Sequence, residues 1–284
     1  MAVVAGNPRA RALAAGLRKA REATGMSGRE LARRVKVSQG LVTHWECCRR
    51  IPRVEHVVMV LMTCDTAAPE RDRLLDIAHH VNDPNWLTVG VPGISQQLAG
   101  VVESEEAASK IIQWSPVLIP GLLQTPDYAR VIVSQNGREQ KDVQARVMIR
   151  MGRREIITRR DAVEFTAIIG ETALRDPVVE PDLMAEQLHY LIELGVRPNI
   201  DLRVISSNIG WHPGSTGPFV LYEFPDSGSV VHFEHHSSGA FVPDEHDIKQ
   251  YESAIEVLKE IAKSPEVSRE FITDIAKGWA NHRE

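Results

Sequence analysis

Residues 28–50 read GRELARRVKVSQGLVTHWECCRR, a pattern that predicts two short helices joined by a tight turn. In the first half, Leu31 and Val35 fall on one helical face because an α-helix repeats every 3.6 residues. The apolar pattern then breaks, and Ser38 is a residue whose side chain accepts hydrogen bonds from the free N–H groups at a helix start. We therefore expect a second helix over residues 39–46, four residues after the first.

The second predicted helix keeps its apolar side chains on one face and presents polar ones on the other, near its N-terminus. In a helix-turn-helix, this part of the second helix enters the major groove of DNA, where Gln pairs with adenine and a Thr methyl group contacts that of thymine. The polar residues here are of these types, and three arginines follow as candidates for phosphate contacts: Ser38, Gln39, Gly40, Thr43 and His44, then Arg49, Arg50 and Arg53. An ordinary helical hairpin with a solvated polar face would show the same pattern.

The charge of this region favours the nucleic-acid interpretation. Residues 9–53 contain 12 Lys and Arg against three acidic residues, although the whole chain carries a net charge of −5. Residues 1–85 have a net charge of +5, so residues 86–284 carry −10. A basic segment on an acidic chain predicts a polyanionic partner such as double-stranded DNA.

Length and composition indicate a protein with two domains. The 284 residues, 43% of them hydrophobic and 25% charged, suffice for two hydrophobic cores. No segment approaches the roughly 20 consecutive apolar residues of a membrane helix, and the N-terminus lacks the apolar core of a signal peptide. We expect a cytoplasmic protein without membrane association, whose cysteines are reduced because neither a disulfide framework nor a metal-finger spacing is present.

Helical periodicity extends the first domain to residues 9–81. Apolar residues at helical spacing predict one helix before the motif and two after it, at Leu13, Leu17 and Ala20, at Val57, Val58, Leu61 and Met62, and at Leu74, Ile77, Ala78 and Val81. We expect an all-α bundle of five short helices packed around Trp45.

This bundle resembles the lambda-repressor-like Xre family of transcriptional regulators. The resemblance rests on the helix order, on Leu-Ala-x-x-Val before the turn, on Val-Ser-Gln at the start of the second helix and on the closing Trp-Glu…Arg-x-Pro. It implies base contacts at Gln39, Gly40, Thr43 and His44, and backbone contacts at Ser38, Arg49 and Arg50. One departure is Cys48, since the family usually has a glycine with positive φ there. Either Cys48 adopts that conformation, at a cost of about 1 kcal/mol, or the loop differs.

A segment rich in Pro and Gly, residues 82–95, is the predicted linker between the domains. Residues 96–284 then indicate an α+β domain with a small antiparallel sheet and C-terminal helices. Its first helix is expected over residues 96–113, and β-rich runs predict strands over residues 163–169, 200–205, 218–224 and 229–235. The final helix is expected to begin at Ser264-Pro265-Glu266, with Val267, Phe271 and Ile275 on its inner face.

The second domain closely resembles a domain of unknown function found in actinobacterial regulators of the Streptomyces type. The resemblance spans residues 96–280 and rests on WSPVLIPGLLQTPDYAR at residues 114–130, on IGETALR at residues 169–175, and on Glu186-Gln-Leu, Gly217-Pro-Phe and Val231-x-Phe-Glu234. In that family the domain follows an Xre-type DNA reader, and a small companion protein of unknown function is associated with it. The resemblance therefore implies a transcriptional regulator with a credible protein partner.

Several polar residues of the second domain are candidates for a ligand or partner pocket: Gln124, Tyr128, Glu171, His212 and Glu234. His232, Glu234 and His236 alternate along a predicted strand and form a conceivable metal-ligand set, although hydrogen-bonded or solvent-facing side chains show the same spacing. The arginines of residues 146–160 suit an anion site or pairing with carboxylates, and we favour the pairing. We expect no metal and no cofactor.

The sequence thus predicts a sequence-specific transcriptional regulator that binds double-stranded DNA as a homodimer, because two-fold operators require two-fold proteins. Its C-terminal domain is expected to bind an effector or a small companion protein. Two alternatives remain: an antitoxin-like protein-interaction module acting with a small partner, and an enzyme with a pocket around Glu171, His212 and Glu234. The nucleophile-elbow, phosphate-loop, dinucleotide and zinc-protease motifs are all missing from the sequence, so we expect no enzymatic activity.

Overall fold

The computed structural model describes residues 8–81, 96–135, 140–225, 228–234 and 239–281. The chain divides into two compact units, one made of Met1–Ala107 and Tyr222–Lys249 and the other of Ala108–Leu221 and Gln250–Glu284. The predicted linker, residues 82–95, lies outside the described residues, so the domain boundaries stay a prediction. In the parts of the chain that the structure describes, no helix is long and apolar enough to cross a membrane.

Five helices form the first part of the chain, as the periodicity predicts. They are α1 (Pro8–Ala23), α2 (Gly28–Arg34), α3 (Gln39–Glu46), α4 (Val54–Thr63) and α5 (Ala68–His80). Their inner faces bury a cluster that includes Leu13, Leu31, Val42, Trp45 and Leu74. Gly25 follows α1 with a φ of 72°, a left-handed conformation that costs a glycine no steric strain.

The predicted helix α4 is present, but only part of its apolar surface is buried. Val57, Val60 and Leu61 are buried, whereas Val58 and Met62 are exposed. The helix reads VEHVVMVLMT, and apolar residues surround most of it, so periodicity alone does not select the face that packs.

The rest of the described chain contains both helices and strands. The helices are α6 (Gln96–Ala107), α7 (Pro126–Ser134), α8 (Gln140–Arg153), α9 (Glu155–Thr158), α10 (Thr172–Arg175), α11 (Pro181–Leu194), α12 (Glu245–Ile261) and α13 (Pro265–Asn281). The strands are β1 (Lys110–Ser115), β2 (Glu164–Gly170), β3 (Ile200–Ile205), β4 (Phe219–Glu223), β5 (Val230–Glu234) and β6 (Gly239–Val242).

These strands form a mixed six-stranded sheet in the order β3-β2-β1-β4-β5-β6. Strands β1, β2 and β3 are parallel, with Ile111 opposite Phe165 and Phe165 opposite Ile200, whereas β5 and β6 are antiparallel. Every residue of β2 after Glu164 is buried, as expected for a central parallel strand covered on both faces. The prediction of a small antiparallel sheet is wrong, although an α+β architecture with C-terminal helices is present.

The main error lies in residues 96–113, which were expected to form one helix. The helix ends at Ala107, and Lys110–Ser115 is strand β1. The buried pair Ile111 and Ile112 belongs to a short apolar run, and a run of that length does not distinguish a strand from a buried helix by periodicity. Because β1 pairs with β2 in parallel, the prediction lacked one of the two neighbours of the central strand.

The predicted start of α13 is present, but its inner face is not as predicted. The Ser264 hydroxyl accepts a hydrogen bond from the Val267 N–H at 3.3 Å, as a helix cap requires. Ile275 is buried, whereas Val267 is exposed and Ser268 is buried. The Ser268 hydroxyl accepts a hydrogen bond from the Val204 N–H at 2.9 Å, which ties α13 to β3.

Candidate nucleic-acid interface

Both helices of the central motif begin at a serine cap. The Ser27 hydroxyl accepts a hydrogen bond from the Glu30 N–H, and the Ser38 hydroxyl accepts one from the Leu41 N–H, each at 3.2 Å. Each bond satisfies one of the N–H groups that a helix start leaves without a partner. The caps fix where α2 and α3 begin, so the predicted joint between them is confirmed.

Helix α3 buries one face and exposes the other. Val42 and Trp45 are buried in the helical core, and the opposite face carries exposed residues near the helix start: Ser38, Gln39, Gly40, Thr43 and His44. The Thr43 hydroxyl donates a hydrogen bond to the Gln39 carbonyl at 3.1 Å, which restrains its side chain. The polar face of α3 is therefore open to a partner.

Cys48 ends this helix in the left-handed conformation, with a φ of 53°. The Cys48 N–H donates to the Trp45 carbonyl at 3.2 Å, and the Arg49 N–H donates to the His44 carbonyl at 2.8 Å. This bond pair is the Schellman arrangement, in which a glycine normally occupies the position of Cys48. Of the two alternatives at this position, the structure has the positive φ rather than a different loop, and the Cys48 side chain is buried.

The arginines that follow α3 are available to an anionic partner. Arg49, Arg50 and Arg53 are exposed, and none of them forms a salt bridge within the described residues. The prediction from sequence missed two further exposed cations near α3, Arg29 and Lys36. Arg29 lines an open cleft that also includes Gln39, and its place at the start of α2 was the available signal.

Glu46 anchors α3 to α1 through a bidentate salt bridge. Arg21 Nε lies 2.7 Å from Glu46 Oε1, and Arg21 Nη2 lies 2.8 Å from Glu46 Oε2. The side chains are only 14% and 11% exposed, and hydrogen bonding to Glu46 raises the pKa of Arg21. Arg21 also donates to the Met26 carbonyl at 2.8 Å. This anchor joins the C-terminal end of α3 to α1.

Gln124 and Tyr128, two of the five predicted pocket residues, are buried. Gln124 donates from Nε2 to the Ile119 carbonyl at 2.8 Å and accepts from Arg150 at 2.9 Å. The Tyr128 hydroxyl accepts from the Ile119 N–H at 3.5 Å. These contacts give both side chains a structural use, holding the proline-rich segment that follows β1.

Glu171 and His212 lie beyond the carboxyl ends of β2 and β3. Glu171 accepts hydrogen bonds from the Arg175 side chain at 2.6 Å and from the Ser207 N–H at 2.8 Å. The His212 ring packs edge-on against Trp114, with 5.6 Å between ring centroids. Trp114 in turn donates to the Gly214 carbonyl at 2.9 Å. These bonds hold the loop between β3 and β4.

The proposed metal-ligand set is not assembled in the described residues. His232 is buried, with its ring 4.3 Å from that of Phe241, whereas Glu234 is exposed. His236 lies outside the described residues. In the described part of the chain, no three His, Cys, Asp or Glu side chains are placed to hold a metal ion.

Two family models match the chain. Residues 12–74 match a helix-turn-helix domain, and residues 98–274 match the domain of unknown function DUF5753. No curated protein and no solved structure matches the chain significantly. The first match covers the helices that carry the exposed polar face, and the second covers more than half of the chain.

Proposed function

The chain belongs to the family defined by the domain of unknown function DUF5753, and because a helix-turn-helix domain precedes that domain, we propose that the protein is a sequence-specific DNA-binding transcriptional regulator. One observation carries the proposal. The exposed N-terminal face of α3 presents Gln39, Thr43 and His44, and the exposed arginines that follow the helix have no salt bridge within the described residues.

The proposal gives the two groups of residues different roles. Gln39, Gly40, Thr43 and His44 read base edges in the major groove, where a good contact discriminates by about 1 to 3 kcal/mol. Ser38, Arg49, Arg50 and Arg53 bind phosphates, which position the protein without reading sequence. Arg29 and Lys36 join the phosphate-binding group because they are exposed near the same helix.

Fluorescence anisotropy with DNA from the region upstream of the gene, at several salt concentrations, tests these roles. Gln39→Ala is expected to lose the preference for that DNA over random DNA. Arg50→Ala is expected to weaken binding to both alike and to reduce the salt slope by about 0.9. Arg160→Ala removes the same charge at another exposed site and should change neither property. Equal loss of preference in Gln39→Ala and Arg50→Ala would contradict the assignment.

We also propose a class of regulator, an oligomeric state and partners for the protein. We place the helix-turn-helix domain among the lambda-repressor-like Xre regulators, acting in the cytoplasm as a homodimer on a two-fold operator. The DUF5753 domain is proposed to bind an effector or a small companion protein. Light scattering tests the dimer, and a monomeric mass with and without operator DNA would argue against it.

The proposal assigns no catalytic step to the protein. Glu171 accepts a hydrogen bond from the Ser207 N–H, and the His212 ring packs against Trp114 of β1, so both side chains have structural contacts. The antitoxin-like alternative shares the helix-turn-helix surface, and it predicts DNA binding that is absent or insensitive to salt. The anisotropy series therefore separates the two proposals.

A further inference from the structure

Arg11, on α1, places its guanidinium over the ring of Phe224, the residue that follows β4. The Arg11 Cζ atom lies 3.4 Å from the ring centroid, and both residues belong to the same compact unit. The three guanidinium nitrogens are buried, and no described residue accepts a hydrogen bond from them. Attraction between a cation and a ring offsets only part of the cost of burying a guanidinium without an acceptor. The Arg11–Phe224 contact should therefore break more readily than a contact in which the arginine is paired with a carboxylate.

This contact lies beside the end of α3. Two alanines of α1 near Arg11, Ala10 and Ala14, pack with Cys48 in one buried cluster. The Arg11 guanidinium and the Cys48 thiol are close enough to influence each other electrostatically. Cys48 is the positive-φ residue of the Schellman arrangement, and Arg49 follows it directly. A displacement of α1 at Arg11 would therefore shift Cys48 and, with it, the adjacent arginines that we assign to phosphate binding.

We propose that the Arg11–Phe224 contact is a latch which, when closed, holds the C-terminal end of α3 in its DNA-binding geometry. Strand β4 carries the chain from one compact unit into the other, so a ligand that shifts β4 pulls directly on Phe224. Opening the latch loosens the cluster around Cys48 and weakens the phosphate contacts of Arg49 and Arg50. The effect on DNA rests on the proposed function, whereas the opening itself does not.

Thiol labelling of the full-length protein without DNA tests the opening. In a Cys47→Ser background, which removes the adjacent, half-buried thiol, iodoacetamide labelling with peptide mapping reports Cys48 and Cys64 separately. Both thiols are buried to the same extent, at 6% exposure. Phe224→Leu keeps the apolar bulk but removes the ring, so the Cys48 labelling rate should rise about two- to thirtyfold, the range of a lost cation–π contact. The Cys64 rate reports global unfolding and should not change.

Phe241→Leu is the control, because it removes another phenyl ring of the same compact unit, one that lies against His232 rather than Arg11. It should leave the ratio of Cys48 to Cys64 labelling at the wild-type value. The latch is refuted if Phe224→Leu raises that ratio no more than the control does. Circular dichroism verifies that each variant is folded. If Phe224→Leu does not fold, Phe224→Met replaces it.

DNA binding by Phe224→Lys tests the coupling. The new ammonium repels Arg11 and holds the latch open, so affinity for upstream DNA should fall about fivefold or more, a typical allosteric coupling. The added positive charge alone would strengthen DNA binding, so a decrease is diagnostic. Unchanged or tighter binding overturns the coupling. If the wild type binds no DNA while Cys48 labelling responds as expected, the proposed function fails and the latch stands.

Discussion

The two ends of α1 bury an arginine in opposite ways. Near the C-terminal end, Arg21 donates two short hydrogen bonds to the Glu46 carboxylate, and this raises its pKa. Near the N-terminal end, Arg11 lies over the ring of Phe224 with no described acceptor, and burial lowers its pKa to about 10. The same residue type on the same helix thus forms an anchor where a carboxylate faces it and a releasable contact where a ring faces it.

The largest expected effect comes from breaking the anchor. Arg21→Met leaves the largely buried Glu46 carboxylate without its partner, and removal of one partner from a buried pair costs about 3 kcal/mol or more. Urea unfolding should show this loss in the free energy of unfolding. Arg18→Met is the control on the same helix, because the Arg18–Glu22 pair is exposed and such pairs contribute about 0 to 1 kcal/mol. A loss in Arg21→Met no greater than in Arg18→Met would contradict the anchor.

Arg11→Met sharpens the contrast between the two ends. It keeps the length of the side chain, removes a buried charge without a described acceptor and loses the attraction to the ring. We expect these changes nearly to cancel, leaving the free energy of unfolding within about 1 kcal/mol of the wild type. The same urea series measures it. A loss as large as that of Arg21→Met would show that Arg11 is an anchor too.

The C-terminal ends of α2 and α3 provide a smaller effect. Lys36 follows α2 with a φ of 56° and is exposed, so Lys36→Gly should relieve strain and stabilise the protein by about 0.5 to 1 kcal/mol. Cys48→Gly relieves similar strain but removes a buried side chain, so its gain should be smaller. Thermal unfolding compares the two variants. A larger gain in Cys48→Gly would mean that the thiol packs poorly.

A third arginine, Arg73, faces Glu103, whose expected effect on stability appears only as a dependence on pH. Burial raises the pKa of Glu103 to about 7, although Arg73 at 3.8 Å opposes the shift. The folded state therefore holds this proton more tightly than the unfolded chain does, and stability should fall as the pH rises from about 4.5 to 7.

Glu103→Gln should remove that part of the pH dependence. The variant should be more stable than the wild type at pH 8 and similar to it at pH 4, measured by urea unfolding at both values. Glu256→Gln is a control, because Glu256 is exposed on α12. An identical pH profile for wild type and Glu103→Gln would contradict the role of burial at Glu103.

Features set by neighbouring residues could be predicted from the sequence. The serine cap of α3 and the apolar face around Trp45 each depend on a few adjacent residues, and the structure has both. Helix α4 was likewise predicted, but its apolar residues surround the helix and do not mark the buried face. The exposure of Gln39 and His44 followed from the same local pattern.

Features set by distant residues could not be predicted. The Arg21–Glu46 anchor joins residues 25 positions apart, and no local pattern marks either partner. Strand β1 is distinguished from a helix only by its pairing with β2, because its apolar run alone is equally compatible with a buried helix. Gln124 and Tyr128 resembled pocket residues, but Arg150 and the Ile119 backbone occupy their polar groups.

The most direct test of the central claim is selection of DNA from a random pool by wild type and by Gln39→Ala. If α3 reads the major groove, the wild type enriches one sequence, and Gln39→Ala enriches a sequence that matches it except for lost preference at one or two adjacent positions. Enrichment of no sequence by the wild type, or of the identical sequence with equal stringency by Gln39→Ala, would contradict base reading by this helix.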